Sequence, residues 1–127
     1  MENYMNLFRP VGLKELELIE ECNMQSFPPR LPWQPIFYPV LNEKYACEIA
    51  EKWNVGDEGS GYAGFVCKFL IDNEFVSRYE VQNVGSHYHN ELWVPAAELS
   101  EFNSHICGNI SIIKAFYGKQ FTGIKKY

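Results

Sequence analysis

Tyr62-Ala63-Gly64-Phe65-Val66-Cys67-Lys68-Phe69-Leu70-Ile71 is the stretch on which the fold turns. Phe65, Cys67, Phe69 and Ile71 alternate with Val66, Lys68 and Leu70, a two-residue period that sends successive side chains to opposite faces of a pleated strand. The pattern predicts a long, mostly buried strand over 62–71 that ends at Asp72-Asn73. Downstream, Tyr79, Val81 and Asn83 oppose Arg78, Glu80 and Gln82, and Gly85-Ser86 turns the chain into a third candidate strand over 87–94. A last strand is expected over 110–116.

Upstream the period changes. Residues 4–9 alternate as a first strand before Pro10 removes a ladder donor. Leu13, Leu16, Ile19 and Cys22 then recur at three-residue steps, with Lys14, Glu15, Glu17, Glu20 and Glu21 outside, which predicts an amphipathic helix of about three turns. Pro28, Pro29, Pro32 and Pro35 exclude a helix interior or central strand from 24–35 and predict a stiff loop carrying Phe27, Arg30 and Trp33. Residues 36–38 read as a short strand, and Asn42 caps a helix over 43–54 whose Tyr45, Ala46, Ile49, Ala50 and Trp53 share one face. The segment 54–61 holds three Gly and is expected to be mobile. Pro95 opens a helix whose face carries Ala96, Leu99, Phe102, Asn103 and Ile106.

With helices clustered early and strands late, the order predicts an α+β fold: one compact domain, a mostly antiparallel sheet and two to three helices. The 127 residues fit one domain, here 1–117, followed by a basic C-terminal tail at 118–127. Composition is that of a folded chain, with 46% hydrophobic and 21% charged residues. Neither a Gly-x-Gly-x-x-Gly nor a Gly-Lys phosphate loop is present, which argues against Rossmann and P-loop enzymes.

Charge is uneven. Residues 1–101 hold all 16 acids and 7 bases, a net −9, whereas 102–127 hold four Lys and no acid, a net +4. The overall −5 argues against a domain built mainly to bind a nucleic-acid backbone, although Lys119, Lys125 and Lys126 with Phe121 and Tyr127 could touch RNA, a partner or the acidic body itself. Apolar runs reach only about six residues, against the ~18 that a membrane span needs, so no membrane partner is expected. The opening Met1-Glu2-Asn3-Tyr4-Met5-Asn6 lacks a secretory pattern, and Cys22, Cys47, Cys67 and Cys107 form no Cys-x-x-Cys pair; both point to a cytoplasmic protein with free thiols.

Three polar residues sit where strands end or meet turns: Arg9, Tyr38 and Glu91. Leu7-Phe8-Arg9 before the helix at 13–19, then Phe37-Tyr38 leading into Tyr45-Ala46 and Ile49-Ala50, then Glu91-Leu92-Trp93-Val94-Pro95, resembles the ADP-ribosyltransferase fold over about residues 4–116. The chain is also similar to short bacterial proteins loosely labelled as joining ADP-ribosylation to J-type crystallins. The resemblance implies an NAD-dependent transferase or NAD glycohydrolase that cleaves the nicotinamide–ribose bond. Arg9 would hold NAD, Tyr38 would stack on nicotinamide, Trp33 and His89 would contribute to the cofactor site, and Glu91 would be the catalytic carboxylate assisted by Tyr38. The chemistry suits these types, because bond cleavage develops positive charge on the sugar that a carboxylate stabilises, and Arg pairs with phosphate oxygens. NAD would be the substrate, with no metal expected, and a protein, a nucleic acid or water the acceptor. The crystallin label implies instead a long, all-helical, two-magnesium hydrolase with several Asp ligands; this chain has only Asp57 and Asp72.

Other readings of the same residues stay open. Arg9 also suits an edge-strand cation paired with a carboxylate, Tyr38 a half-buried core aromatic, and the whole domain a non-catalytic interaction or nucleotide-binding module. His87 and Glu91 are four residues apart, about 13 Å on an ideal strand, too far to share one ion.

Overall fold

The alternation over 62–71 becomes the middle strand of a three-stranded antiparallel sheet. The computed structural model describes residues 3–127; Met1 and Glu2, the first residues of the expected domain and of the N-terminal reading, lie outside them. In chain order the elements are β1 (Tyr4–Val11), α1 (Leu13–Glu21), β2 (Ile36–Phe37), α2 (Glu43–Lys52), β3 (Ala63–Asp72), α3 (Asn73–Val76), β4 (Val81–Asn83), β5 (Asn90–Leu92), β6 (Val94–Pro95), α4 (Leu99–Ser104) and β7 (Ile106–Tyr117). The main sheet runs β1-β3-β7, with β2-β6 and β4-β5 as two-stranded additions, and every one of these pairings is antiparallel. The chain is an α+β domain.

Register sorts the two faces. Leu7, Arg9 and Val11 lie opposite Phe69, Cys67 and Phe65, and on this face α1 sets down Leu16 and Ile19. Phe27, Phe37, Phe69 and Phe102 close this core with ring centroids 5.0 to 6.1 Å apart in tilted and edge-on pairs. Each such ring contributes about 1.5–3 kcal/mol by leaving water. The other face carries Phe8 and Val66, covered by Val40 and by Ala46 and Ala50 of α2. Small residues let that helix lie close: a Cβ on Gly64 of β3 would stand 2.7 Å from the Ala50 carbonyl oxygen.

Several elements differ from the sequence reading. The Pro-rich loop is irregular as expected, but Phe27 is fully buried and its backbone N–H and C=O both pair with the Asn103 side chain at 2.9 Å, which ties the loop to α4. Residues 54–61, expected to be mobile, form two 3₁₀ turns, Asn54–Gly56 and Glu58–Ser60, with an internal side-chain network. Asp72-Asn73 is the start of α3, because the Asp72 carboxylate accepts the Glu74 N–H at 3.1 Å. Pro95 pairs with Ile36 in β6 and caps a 3₁₀ turn over Ala96–Glu98 that runs on into α4 at Leu99, so the helical segment does open after Pro95, while Ile106, expected on its face, already belongs to β7. β7 starts earlier than expected, at Ile106. Gly108, at φ 76°, takes the irregular step between the Leu70–Cys107 and Lys68–Ser111 pairs, a conformation that favours glycine.

The basic tail folds back on α1. Tyr127 donates its hydroxyl to Glu20 at 2.9 Å, Lys126 lies 3.6 Å from the same carboxylate, and the Tyr127 ring packs edge-on to Phe65. Among the described residues no helix is long and apolar enough to cross a membrane.

Candidate functional site

A groove of about 490 Å³ opens where β1 runs out into Gly12, walled by α1, the Pro-rich loop, Tyr38, the end of α2 and the two 3₁₀ turns. β1 is open here because its partner segment reaches it only at Phe8, which exchanges two backbone hydrogen bonds with Val40 (2.9 and 2.7 Å). Beyond that point Pro10 has no N–H to offer. Gly12 closes the bottom of the groove: a Cβ there would stand 2.6 Å from the Ser60 Cα, so only glycine lets β1 and the 58–60 turn meet.

Arg9 lies at the base, 5% exposed, on the α1 side of β1. Its Nε and Nη2 donate to the two Glu15 carboxylate oxygens at 2.7 and 3.0 Å, and its guanidinium carbon lies 4.6 Å from the Phe37 ring centroid and 5.5 Å from that of Tyr38. Burial opposes the charge, but Glu15 outweighs it and holds the Arg9 pKa above its ordinary value. Arg30 donates Nε to the Ile36 carbonyl at 3.1 Å, while its two terminal nitrogens have no hydrogen-bond partner among the described residues. Burial, and then the like charge of Arg9, pull its pKa down. Glu15 is thus taken up by Arg9, while Arg30 and Lys14 add two further cations to the lining. Tyr38 and Trp53 stand on the rim, 39% and 65% exposed.

The two 3₁₀ turns add acceptors to the lining. The Asn54 Nδ2 donates to the Ser60 Oγ at 2.8 Å, and Ser60 donates to the Asp57 Oδ2 at 2.7 Å. Asn54 Oδ1 is buried with no partner among the described residues.

Of the residues singled out in the sequence, Arg9 and Tyr38 line this groove, together with Arg30. Trp33 is 73% exposed on a turn closed by the Gln34 N–H to Leu31 C=O bond, and it does not line the groove. Glu91 and His89 belong to another cluster. Glu91 is 8% exposed, accepting from the Tyr45 hydroxyl at 3.0 Å and the Trp93 indole N–H at 2.7 Å. Burial and the Glu91 hydrogen bond push the Tyr45 hydroxyl up to about 12. The His89 ring stacks on Tyr45 with centroids 4.6 Å apart, and its Nε2 lies 3.0 Å from Glu48, which also accepts from the Tyr88 hydroxyl. The Tyr88 bond, and behind it the His89 contact, draw the Glu48 carboxyl below its ordinary range.

The sequence reading missed Glu15 as the partner of Arg9 and missed the Asn54–Ser60–Asp57 chain. A signal existed for the first, since Glu15 is the residue of the first turn of α1 whose side chain can reach back over Gly12 to the strand end. No signal separated Asn54, Asp57 and Ser60 from an ordinary polar turn.

Comparison with known proteins supplies no relative: no family model, no curated protein and no solved structure matches this chain.

Proposed function

We propose that this chain binds a nucleotide, NAD or an ADP-ribose-like molecule, in the groove at the open end of β1. The observation that carries the reading is the unspent charge at its base: Arg30 and Lys14 remain to meet an anion after Glu15 has neutralised Arg9. Arg matches phosphate oxygens in a planar fork, and Tyr38 and Trp53 offer faces for a planar ring. The volume lies within the ~300–1,000 Å³ of ordinary small-molecule sites. A cytoplasmic setting belongs to the same reading, supported by four free thiols, of which Cys22 and Cys107 are exposed.

The test is calorimetric titration of the chain with NAD, ADP-ribose and ADP, beside Arg30→Gln. Binding by the wild type, weakened at least about tenfold in Arg30→Gln at an unchanged melting temperature, supports the groove. Absence of heat and of thermal stabilisation with all three nucleotides at millimolar concentration rejects it.

A second reading, ADP-ribosyl transfer to a protein or nucleic-acid acceptor or to water on an ADP-ribosyltransferase-like fold, is favoured by one observation. Glu91 is a nearly buried carboxylate whose two oxygens are oriented by Tyr45 and Trp93, beside the exposed Trp93 ring. Nicotinamide release from NAD, lost by orders of magnitude in Glu91→Gln, supports it. Release that survives in Glu91→Gln removes Glu91 from the reaction.

A further inference from the structure

We infer that the Asn54–Ser60–Asp57 wall of the groove is a hydroxyl-recognising subsite, and that the group it takes is the vicinal diol of a ribose. The inference rests on the nucleotide reading above and adds which part of the ligand meets which residues.

The argument begins with the direction of the hydrogen bonds. Ser60 has one hydroxyl proton, and in the structure it goes to Asp57. The Ser60 oxygen is then free only to accept, so the Asn54 group turned toward it is the NH₂. The amide oxygen of Asn54 is the atom left over, and it is buried without a partner on a residue that is only 7% exposed. A buried acceptor without a donor costs about 1–3 kcal/mol, which is why such atoms are scarce in folded proteins and why one beside a groove points to a missing donor.

Asp57 supplies the second acceptor. Its Oδ2 takes the Ser60 proton, and Oδ1 has no hydrogen-bond partner among the described residues. The relay from Asn54 through Ser60 thus does two things: it pins the Asp57 carboxylate in one orientation and leaves its other oxygen free to accept from a ligand in the groove that Asp57 lines. Gly56 and Gly59 flank Asp57 on the two turns, and a Cβ on Gly56 would meet nothing within 4 Å, so no side chain crowds this part of the wall.

The groove therefore holds both kinds of group. Among its lining residues Arg30 and Lys14 offer donors and positive charge, and Asp57 and Asn54 offer acceptors. A ligand that matches carries an anion at one end and two adjacent O–H donors at the other. A nucleoside diphosphate has both groups on one skeleton, with phosphates on the 5′ carbon and hydroxyls on the 2′ and 3′ carbons. An exocyclic amine of the base is the competing source of donors, and the experiment separates the two.

The test is calorimetry on the full chain with ADP, 2′,3′-dideoxy-ADP and inosine diphosphate, for the wild type and Asp57→Asn. The expected result is ADP and inosine diphosphate bound alike and the dideoxy compound about tenfold or more weaker, since a missing hydroxyl leaves a buried acceptor unpaired. Asp57→Asn, which keeps size and shape, should bring ADP toward the dideoxy level and leave the dideoxy compound unchanged. Equal binding of ADP and its dideoxy form overturns the subsite while leaving the groove reading intact. Sensitivity to inosine rather than to the dideoxy sugar assigns the wall to the base amine and overturns the diol. No binding of any of the three overturns both. If Asp57→Asn does not fold, the three ligands on the wild type decide the question alone.

Discussion

Arg9 and Glu91 leave one strand ladder on opposite faces. Val40 bridges Phe8 on one side and Glu91 on the other, so Phe8, Val40 and Glu91 form a single cross-strand row directed at α2. Arg9, the next residue after Phe8, points the other way, to Glu15 of α1. The two residues share no hydrogen-bond partner among the described residues: Arg9 is held by Glu15, Glu91 by Tyr45 and Trp93. Substitutions at the two sites should therefore act independently. In a cycle of Arg9→Met, Glu91→Gln and the double variant, the unfolding free energies should add to within about 0.5 kcal/mol. A coupling above about 1 kcal/mol would show that the two side chains act as one constellation.

Glu15→Gln should move stability and anion binding in opposite directions. Loss of the carboxylate leaves the buried Arg9 charge without its counter-ion and costs about 3 kcal/mol in urea unfolding. The same change removes the one carboxylate that acts on both Arg9 and Arg30 among the described residues, so inorganic pyrophosphate should bind more tightly. Weaker pyrophosphate binding in a folded Glu15→Gln protein would count against the groove as an anion site.

Gly12→Ala tests the floor. Its Cβ would stand 2.6 Å from the Ser60 Cα, a backbone neighbour that cannot swing aside, and overpacking of this kind costs about 1–3 kcal/mol. The melting temperature should fall, and the Ser60 amide should exchange faster than in the wild type. A melting temperature equal to the wild type's would show that β1 and the 58–60 turn are not in contact in solution.

Tyr45 sets an alkaline limit. Its hydroxyl is pushed from 10.0 up to about 12, with burial first and the Glu91 hydrogen bond second. A group whose folded pKa is raised adds stability that is complete below its unfolded pKa and disappears as pH climbs through the folded one. The contribution is whole below pH 10 and lost between 10 and about 12. Tyr79, Tyr88 and Tyr127 are shifted up as well, so tyrosinate absorbance should show several late-titrating tyrosines, one fewer in Tyr45→Phe, and the variant's stability should decline less over that interval. An unchanged titration curve in the variant would refute the assignment.

The tail makes a further prediction. Glu20, Phe65, Leu13 and Leu16 border the cleft that Phe121, Lys126 and Tyr127 cover. Removing 118–127 uncovers apolar side chains of the main core and should cost about 1–3 kcal/mol with a smaller urea m-value. A truncated chain as stable as the full one would make the tail a bystander.

Local pattern determined much of this protein on its own. The two-residue alternation from Phe65 to Ile71 and the three-residue steps from Leu13 to Ile19 dictate β3 and α1, because pleat and helix periods are properties of the nearest few residues. Asn42 as a cap and the prolines of 24–35 are equally local, and the Asn42 side chain does accept the Tyr45 N–H at 2.8 Å. What only the tertiary structure decided is which side chains meet. Whether Arg9 and Glu91 share a face depends on the register of β1, Val40 and β5, three segments far apart in the chain, and a slip of one residue would reverse the answer. The pairing of Arg9 with Glu15 depends on a helix turning back over Gly12, and the stranded oxygen of Asn54 on its amide nitrogen being turned to Ser60, whose own proton goes to Asp57. These are relations between elements, and periodicity within any one element carries no record of them.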